Sequence, residues 1–246
     1  MFTQSGYSLN NFGISLGLKG LPIEYFVNFT MPLQRQDLHI HTTYSDSRIK
    51  IQDAVERSSR LNLEVIALTD HFWPSLGSQE GGTSLIKQRR VEIESARNEY
   101  PQMRILDGAE IDITMYGTLE NVAGGYDQFD LVIGSFHHFV ESSRWCRTLE
   151  KVLQGNRFDI LGHWDGYLKD FVREYGESVA QLLAEKNVAI ELSARYPSKC
   201  EMFFEIARDA GCKFTLGSDS HWIDSIGRLE KQREIIEAYN LKMMEF

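Results

Sequence analysis

The sequence is poor in cysteine, with only Cys146, Cys200 and Cys212 among 246 residues. Their spacing matches no zinc-ligand pattern, and an odd number leaves one without a partner. A disulfide framework and a cysteine-based metal site are therefore not expected. We interpret the three as reduced thiols, which indicates a cytoplasmic protein.

Long hydrophobic runs are also absent. No apolar segment approaches the roughly 20 residues that span a bilayer, so we expect no membrane partner. Residues 1–36 carry few charges and lack the basic segment and apolar core of a secretory signal. We predict that they form an N-terminal extension outside a main domain of residues 37–246. Met31, shortly before the first predicted strand, is the expected native start.

Positive charge is scarce, since the net charge is −9. This argues against broad nucleic-acid binding, which requires a basic surface to neutralise phosphates. Bound divalent cations would nevertheless make a local site positive. The sequence also lacks the glycine-rich loop of dinucleotide-binding sheets and the G-x-S-x-G context of a serine nucleophile.

From residue 37 onward, short apolar runs alternate with amphipathic segments. This alternation indicates βαβ units and a mainly parallel sheet buried on both faces. A polar cluster follows nearly every strand, which favours an α/β fold of the distorted (βα)7 barrel type with its site at the C-terminal rim of the strands. The predicted strands cover residues 37–41, 64–69, 104–111, 130–136, 159–162, 189–192 and 213–217. The predicted helices cover residues 49–61, 84–99, 144–153, 178–186, 199–210 and 225–239, with Ser47 as the N-cap of the first.

All seven histidines lie at or just beyond a predicted strand end. His39 and His41 share one strand, so their side chains project in the same direction. Two buried imidazoles on one strand edge are costly unless hydrogen bonds or a metal ion satisfy them. The first alternative describes ordinary core histidines, but scattered core histidines would not all sort to strand ends.

Six further clusters end the later strands, and they cover residues 69–71, 108–110, 135–138, 162–165, 191–195 and 217–221. A barrel would gather their imidazoles and carboxylates on one rim. Mixed ligands of this kind suit Zn, Mn or Fe. Their number exceeds one tetrahedral site, so we predict two or three divalent ions, with Glu110 able to bridge two of them.

In this order, the D-x-H-x-H, T-D-H, S-x-H-H, G-H and G-S-D-S-H motifs resemble the polymerase and histidinol phosphatase (PHP) family of metal-dependent phosphoesterases. The resemblance implies a distorted seven-stranded barrel with a trinuclear site. It implies a first ion held by His39, His41, Glu110 and Asp219. It implies a second that shares Glu110 and takes His137 and His163. It implies a third held by His71, His221 and a loop ligand, for which Asp46 is the nearest capable group.

Several neighbouring residues have two interpretations. Because His138 should point away from His137, only His137 is expected to be a ligand. We expect Asp37, Asp70 and Asp165 either to orient imidazoles or to cap loops.

A glutamate, an arginine and three tryptophans also have two interpretations each. Glu191 is either a site residue or a carboxylate at the core rim, and Arg195 either grips a substrate phosphate or forms a surface ion pair. Trp73, Trp164 and Trp222 are expected in the core, with a pocket wall as the alternative.

The leading hypothesis is histidinol-phosphatase-like hydrolysis of a small phosphomonoester by a metal-activated hydroxide. The candidate catalytic residues are Glu110, Asp219 and Arg195. One alternative is a phosphodiesterase or nuclease that acts on short oligonucleotides or nucleotides. A metal-dependent amidohydrolase is less favoured because that family usually bridges its metals with a modified lysine, and a non-enzymatic metal-binding module is the remaining alternative.

Overall fold

The computed structural model describes residues 34–72, 82–155 and 158–246. Seven strands alternate with helices along this part of the chain. The strands are β1 (Gln36–Ile40), β2 (Val65–Asp70), β3 (Arg104–Asp112), β4 (Leu131–Ser135), β5 (Ile160–Leu161), β6 (Ala189–Ser193) and β7 (Phe214–Gly217). The helices are α1 (Ile51–Arg60), α2 (Thr83–Glu99), α3 (Ser142–Gly155), α4 (Arg173–Lys186), α5 (Met202–Asp209) and α6 (Glu230–Tyr239), with a short 3-10 helix at Ile223–Ser225.

The strands form one sheet in the order β1 to β7, and every neighbouring pair is parallel. The sheet is nearly closed, because the His41 N–H donates to the Ser220 carbonyl (3.0 Å) and the Ser220 N–H donates to the His39 carbonyl (3.2 Å). The barrel is distorted where β5 has only two residues and where the β1–β2 register shifts. The predicted (βα)7 barrel is confirmed.

Asp37 holds the seam between the first and last strands. Its carboxylate accepts hydrogen bonds from the backbone N–H groups of Ser218 and Gly227, both at 2.8 Å. The side chain is fully buried, so each of these bonds replaces lost hydration. These contacts favour the loop-capping interpretation of Asp37, since its partners here are backbone N–H groups and not imidazole rings.

Three predicted helix starts are wrong, and one of them is that of α4, which begins at Arg173 and not at residue 178. Ser47 does not cap α1, whose N-cap is Lys50. Instead, the Ser47 hydroxyl accepts from the Ile49 N–H and donates to the His221 carbonyl, at 3.1 and 3.2 Å, so it fixes the loop to the rim. The last helix was expected over residues 225–239, but α6 begins only at Glu230, because Gly227 has a left-handed φ of 73° that a right-handed helix does not contain.

Both faces of the barrel strands are buried, as the near-continuous apolar runs predicted. The larger core lies between the strands and the helices, where the Trp164 ring packs 4.2 Å from that of Phe203 and 5.9 Å from that of Trp145. Within the described ranges, no helix is long and apolar enough to cross a membrane. Most of the predicted extension at residues 1–36 lies outside the described residues, and β1 begins at Gln36.

Because the strands are parallel, their carboxyl ends meet at one rim of the barrel. The loops that leave β1, β2, β4 and β7 carry histidines to this rim, and β3 ends there with Glu110 and Asp112. The fold thereby places the predicted motifs next to one another.

Candidate metal centre

Glu110 lies at the centre of the rim. Its side chain is 1% exposed, and five histidines point their Nε2 atoms at its two carboxylate oxygens. The distances are 3.1 Å for His39, 3.3 Å for His41, 3.5 Å for His71, 3.5 Å for His137 and 2.9 Å for His163. Because imidazole nitrogens lie beside both of its oxygens, the Glu110 carboxylate has the geometry to bridge two cations.

A second carboxylate, Asp219, lies on the other side of His41. Its Oδ1 atom is 3.4 Å from His41 Nε2 and 3.4 Å from His221 Nδ1. Asp46 completes this side, with its oxygens 2.9 Å from His221 Nε2 and 3.4 Å from His41 Nδ1. The loop after the opening motif therefore does bring Asp46 to the rim.

Four sets of three ligand atoms are close enough to share one ion. They are His39, His41 and Glu110; His41, Asp46 and His71; His41, Asp219 and His221; and His71, Glu110 and His137. The first set agrees with the ligands that the resemblance implies for the first ion. His71 was expected with Asp46 and His221, but it also lies beside Glu110 and His137.

The hydrogen bonds of His39 test whether these residues fit cations. Its Nδ1–H lies 2.7 Å from the Glu191 carboxylate, which fixes the neutral ring as the tautomer with a lone pair on Nε2. That lone pair faces the Glu110 carboxylate at 3.1 Å and the His41 Nε2 atom at 3.1 Å. These lone pairs on nitrogen and oxygen repel one another unless a proton or a cation lies between them. The ligand atoms of His39, His41 and Glu110 therefore fit a metal ion.

The pKa shifts show the same demand for positive charge. Burial lowers the pKa of His41, but hydrogen bonds to Asp219 and Glu110 raise it to about 9. Burial raises the pKa of Asp219, but the charges of His39 and His41 bring it down to about 2. The pKa of buried Glu110 lies well below its usual range because the surrounding imidazoles outweigh the burial. The carboxylates stay ionised and favour cations among them.

His71 behaves differently from His41. Burial lowers its pKa to about 4, with the charges of His41 and His137 acting in the same direction against the attraction of Glu110. A neutral imidazole is the form that binds a metal. His71 is therefore ready to act as a ligand without first releasing a proton.

Backbone strain is concentrated at two site residues. His163 and Asp219 have φ values of +25° and +51°. The other described non-glycine residues with positive φ are Asn62, Asn187 and Asn240. Asparagine tolerates this region, whereas strain at other residues is typical of functional sites.

Glu191 organises the floor of the centre. Besides contacting His39, its carboxylate accepts the His163 backbone N–H at 2.6 Å. A Cβ at Gly217 would lie 1.9 Å from Glu191 Oε1, so this position has room only for glycine. Of the two interpretations of Glu191, the structure supports the site role.

Asp112 was missed by the sequence analysis. Its carboxylate lies 2.5 Å from His137 Nδ1 and thereby turns Nε2 of that ring toward Glu110. Since Asp112 follows Glu110 by two positions on β3, the two share one face of the strand, and this spacing is a signal that could have revealed it.

Asp70 orients the opening loop and makes no direct bond to an imidazole in the described contacts. It accepts hydrogen bonds from the Thr42 N–H at 2.6 Å and from the Ser45 hydroxyl at 2.8 Å. Arg89 of α2, fully buried, donates to Asp70 at 2.6 Å and also contacts Asp107. No local sequence signal indicated Arg89.

Asp165 caps a loop, because it accepts from the Ser198 hydroxyl (2.9 Å) and the Lys199 N–H (2.6 Å). The capping alternative thus describes Asp165. His138 contacts the Phe136 ring, whereas His137 Nε2 lies 3.5 Å from Glu110, so the structure places His137 in the cluster.

Arg195 lies at the mouth of the site. Its guanidinium contacts His221 Nδ1 and is 3.8 Å from Asp219 Oδ1, with 44% of the side chain exposed.

The three tryptophans have different surroundings. Trp164 is buried in the core as expected, whereas Trp222 is 65% exposed and the core prediction is wrong for it. Trp73 lies outside the described residues.

A cavity of about 330 Å³ opens above Glu110. Its lining consists of Asp46, His71, Glu110, Asp112, His137, Tyr167, Arg195, Tyr196, Asp219 and His221. Tyr167 and Tyr196 form an aromatic wall, with their hydroxyl oxygens 3.2 Å apart and the Tyr196 ring 4.8 Å from that of His163. A cavity of this size accommodates a small molecule.

Comparison with known proteins agrees with this geometry. Residues 37–195 match the sequence profile of the PHP domain. The chain belongs to the PHP family. It is a metal-dependent phosphoesterase, and four groups of its residues could hold a metal ion.

Two relatives and one solved structure illustrate the similarity. The chain is 30% identical over 228 residues to the DNA polymerase/3'-5' exonuclease PolX of Bacillus subtilis, a match that covers 85% of this chain but only 40% of PolX. It is 33% identical over 222 residues to a probable phosphatase of Aliivibrio fischeri, covering 83% of this chain and 85% of the relative.

The solved structure is a histidinol phosphate phosphatase of Lactococcus lactis in complex with zinc, L-histidinol and phosphate. It superposes with a TM-score of 0.67 at 20% identity and covers 86% of this chain and 95% of that one. At this identity, the match supports the barrel fold.

Proposed function

We propose that this PHP phosphoesterase hydrolyses a small phosphomonoester. The observation that carries the proposal is the cavity of about 330 Å³, which has Glu110 and its histidines at the bottom. A cavity of this size holds one small substrate with its phosphate against the metal ligands. The similarity to a probable phosphatase along most of both chains supports the same conclusion.

Two or three divalent ions, Zn, Mn or Fe, fit the donor set. When bound, they would lower the pKa of a coordinated water and neutralise phosphate oxygens. His39, His41, Glu110 and Asp219 would hold the first, and Glu110, His137 and His163 the second. His71, His221 and Asp46 would hold the third, and the nearness of His71 to Glu110 also makes it a ligand candidate for the second.

The chain's own residues have distinct tasks in this proposal. Glu110 would hold cations through its two carboxylate oxygens, and Glu191 and Asp112 orient imidazoles. Asp219, which lines the cavity, accepts or returns a proton at its carboxylate. Arg195 lies at the mouth and donates to the substrate phosphate, a task for which its planar group is suited.

A nuclease or phosphodiesterase is the second candidate. It is favoured by the 30% identity to PolX, whose name includes an exonuclease activity, and by the Tyr167–Tyr196 wall, on which a base can stack. The amidohydrolase alternative has less support, because the described cavity lining contains no lysine and a glutamate occupies the central position.

The test is a hydrolysis panel with Mn, Zn and Fe supplied separately, using p-nitrophenyl phosphate, histidinol phosphate, bis-p-nitrophenyl phosphate and a short oligonucleotide. The proposal expects the monoesters to be hydrolysed faster than the diesters. His137→Ala should abolish this activity, while the adjacent His138→Ala serves as a matched control and should retain it. Preference for a diester would support the second candidate, and equal activity of both histidine variants would contradict the site.

A further inference from the structure

A second cavity, of about 420 Å³, adjoins the metal centre. Its lining includes Arg48, which precedes α1, Arg57 and Arg60 from the last turn of α1, and Trp222 and Ile223, which follow β7. His221 lines both this cavity and the metal cavity. The two cavities are therefore neighbours that meet at His221.

Two of the three arginines have free guanidinium groups. Within the described parts of the chain, neither Arg48 nor Arg57 has a side-chain hydrogen bond or ion pair, and the buried Arg57 Nε has no partner. Arg60 is different, because Glu56 engages it. Asp53 and Glu56 also line the cavity, but they leave Arg48 and Arg57 unpaired.

Unpaired arginines suit an anionic ligand. A guanidinium binds a carboxylate or phosphate through two parallel hydrogen bonds, and a buried N–H without a partner is costly until a ligand satisfies it. Surplus positive charge of this kind stands out in a chain whose net charge is −9. An anion bound here would satisfy Arg57 Nε.

Trp222 adds an exposed aromatic surface to the lining of the second cavity. Its side chain follows His221 directly and is 65% exposed, whereas Trp164, which follows His163 in the same way, is 4% exposed in the core. Exposed tryptophan next to positive charge is a stacking platform for a planar ring. Neighbouring Ile223 is also exposed and extends the apolar surface.

We propose that this second cavity is a substrate subsite, which rests on the proposed phosphoesterase function. The substrate class is a phosphoester whose leaving group carries a planar ring and, beyond the ring, a second anionic group. The scissile phosphate lies at the metal ligands, the ring stacks on Trp222, and the distal anion binds Arg48 and Arg57.

The kinetic test uses naphthyl phosphate, with and without an anion on the far ring. In the metal-loaded wild type, the distal anion should raise kcat/KM about tenfold, the effect of one charge-assisted contact pair. The double variant Arg48→Gln/Arg57→Gln should lose that gain and keep its activity on p-nitrophenyl phosphate. Trp222→Ala should weaken both naphthyl substrates. A carboxylate and a phosphonate as the distal anion distinguish the two kinds of anionic group.

The matched control is Arg173→Gln/Arg208→Gln, which removes the same charge from arginines already paired with Glu177 and Asp209 on the surface. It should leave the substrate preference unchanged. An anion effect that is equal in the wild type and the Arg48→Gln/Arg57→Gln variant would overturn the subsite.

A binding measurement separates the subsite from the proposed function. If the wild type hydrolyses none of these monoesters with any metal, the proposed function fails. The subsite is then tested by binding alone, through the quenching of tryptophan fluorescence by naphthyl phosphate that carries a carboxylate on the far ring. Saturable quenching that is lost in Trp222→Phe and weakened in the arginine variant supports it. Absence of saturable quenching in the wild type contradicts it.

Discussion

The metal centre has a buried inner cluster and a solvent-facing outer pair. The inner cluster, His39, His41 and Glu110, has side chains that are at most 1% exposed. The outer pair, Asp46 and His221, is 28% and 13% exposed. Water can hydrate the outer pair when no ion is present, whereas the side chains of the inner cluster are almost completely shielded from it. Since an uncompensated buried charge is costly, the inner cluster depends on its cations far more strongly.

This difference also explains where orienting groups are found. His39 of the inner cluster is held by buried Glu191, whereas His221 is contacted by the half-exposed Arg195. A fixed imidazole loses little freedom when it binds an ion. We expect the inner ions to bind tightly and the outer ion to exchange.

The largest effect is expected from Glu110→Gln. The amide keeps the shape but removes the charge that five imidazoles face, so the inner ions should be lost and kcat/KM should fall on the order of a thousandfold or more. Elemental analysis measures the loss of the ions, and the rate of monoester hydrolysis measures the fall in kcat/KM.

Glu120→Gln, in the loop after the same strand, is the matched control and should behave like the wild type. If Glu110→Gln retained its metals and its activity, the inner cluster would not be the catalytic centre.

Glu191→Gln should have the next largest effect. It weakens the acceptor for His39 Nδ1–H without touching the Nε2 side, so the affinity for the inner ions should fall about 10- to 100-fold. Competition with a chromophoric chelator measures the affinity. Glu177→Gln, a surface carboxylate paired with Arg173, provides the control. An unchanged affinity would mean that packing alone orients His39.

The sequence predicted the inner cluster well because strand ends in a parallel barrel meet at one rim. Once His39, His41 and Glu110 were placed at strand ends, their convergence followed from topology. Asp112 was missed because β3 was expected to end at residue 111, whereas the strand continues to Asp112. One more residue of strand puts it on the same face as Glu110.

Other contacts depend on tertiary packing that no local pattern encodes. Arg89 reaches Asp70 from α2, and helix periodicity does not show which residue on the buried face is charged. Trp164 and Trp222 each follow a histidine directly. The Trp164 ring packs against that of Phe203 in the core, whereas Trp222 is exposed. The sequence makes these two tryptophans equivalent, and the fold separates them.

Asp46→Asn tests the outer pair. It removes the charge 2.9 Å from His221 and 3.4 Å from His41 but leaves the side chains of His39, His41 and Glu110 unchanged, so activity should fall about tenfold and recover when excess metal is added. In the wild type, a mild chelator should remove the outer ion before the inner ones, giving two phases in activity.

The control for Asp46→Asn is Asp209→Asn on the surface. A loss that excess metal does not restore would place Asp46 in catalysis, and a single phase of metal removal would contradict the distinction between inner cluster and outer pair.

Asp112→Asn should have the smallest effect on metal affinity, and it tests directly whether burial sets the strength of a bond that orients a histidine. Asp112 and Glu191 both hold a histidine Nδ1, on His137 and His39 respectively, but the Asp112 side chain is 24% exposed whereas that of Glu191 is 1% exposed. Water can replace part of what Asp112 supplies, so metal affinity should fall only about threefold. If Asp112→Asn proved as damaging as Glu191→Gln in the same chelator competition, burial would not set the strength of these orienting bonds, and the distinction between inner and outer ligands would lose its physical basis.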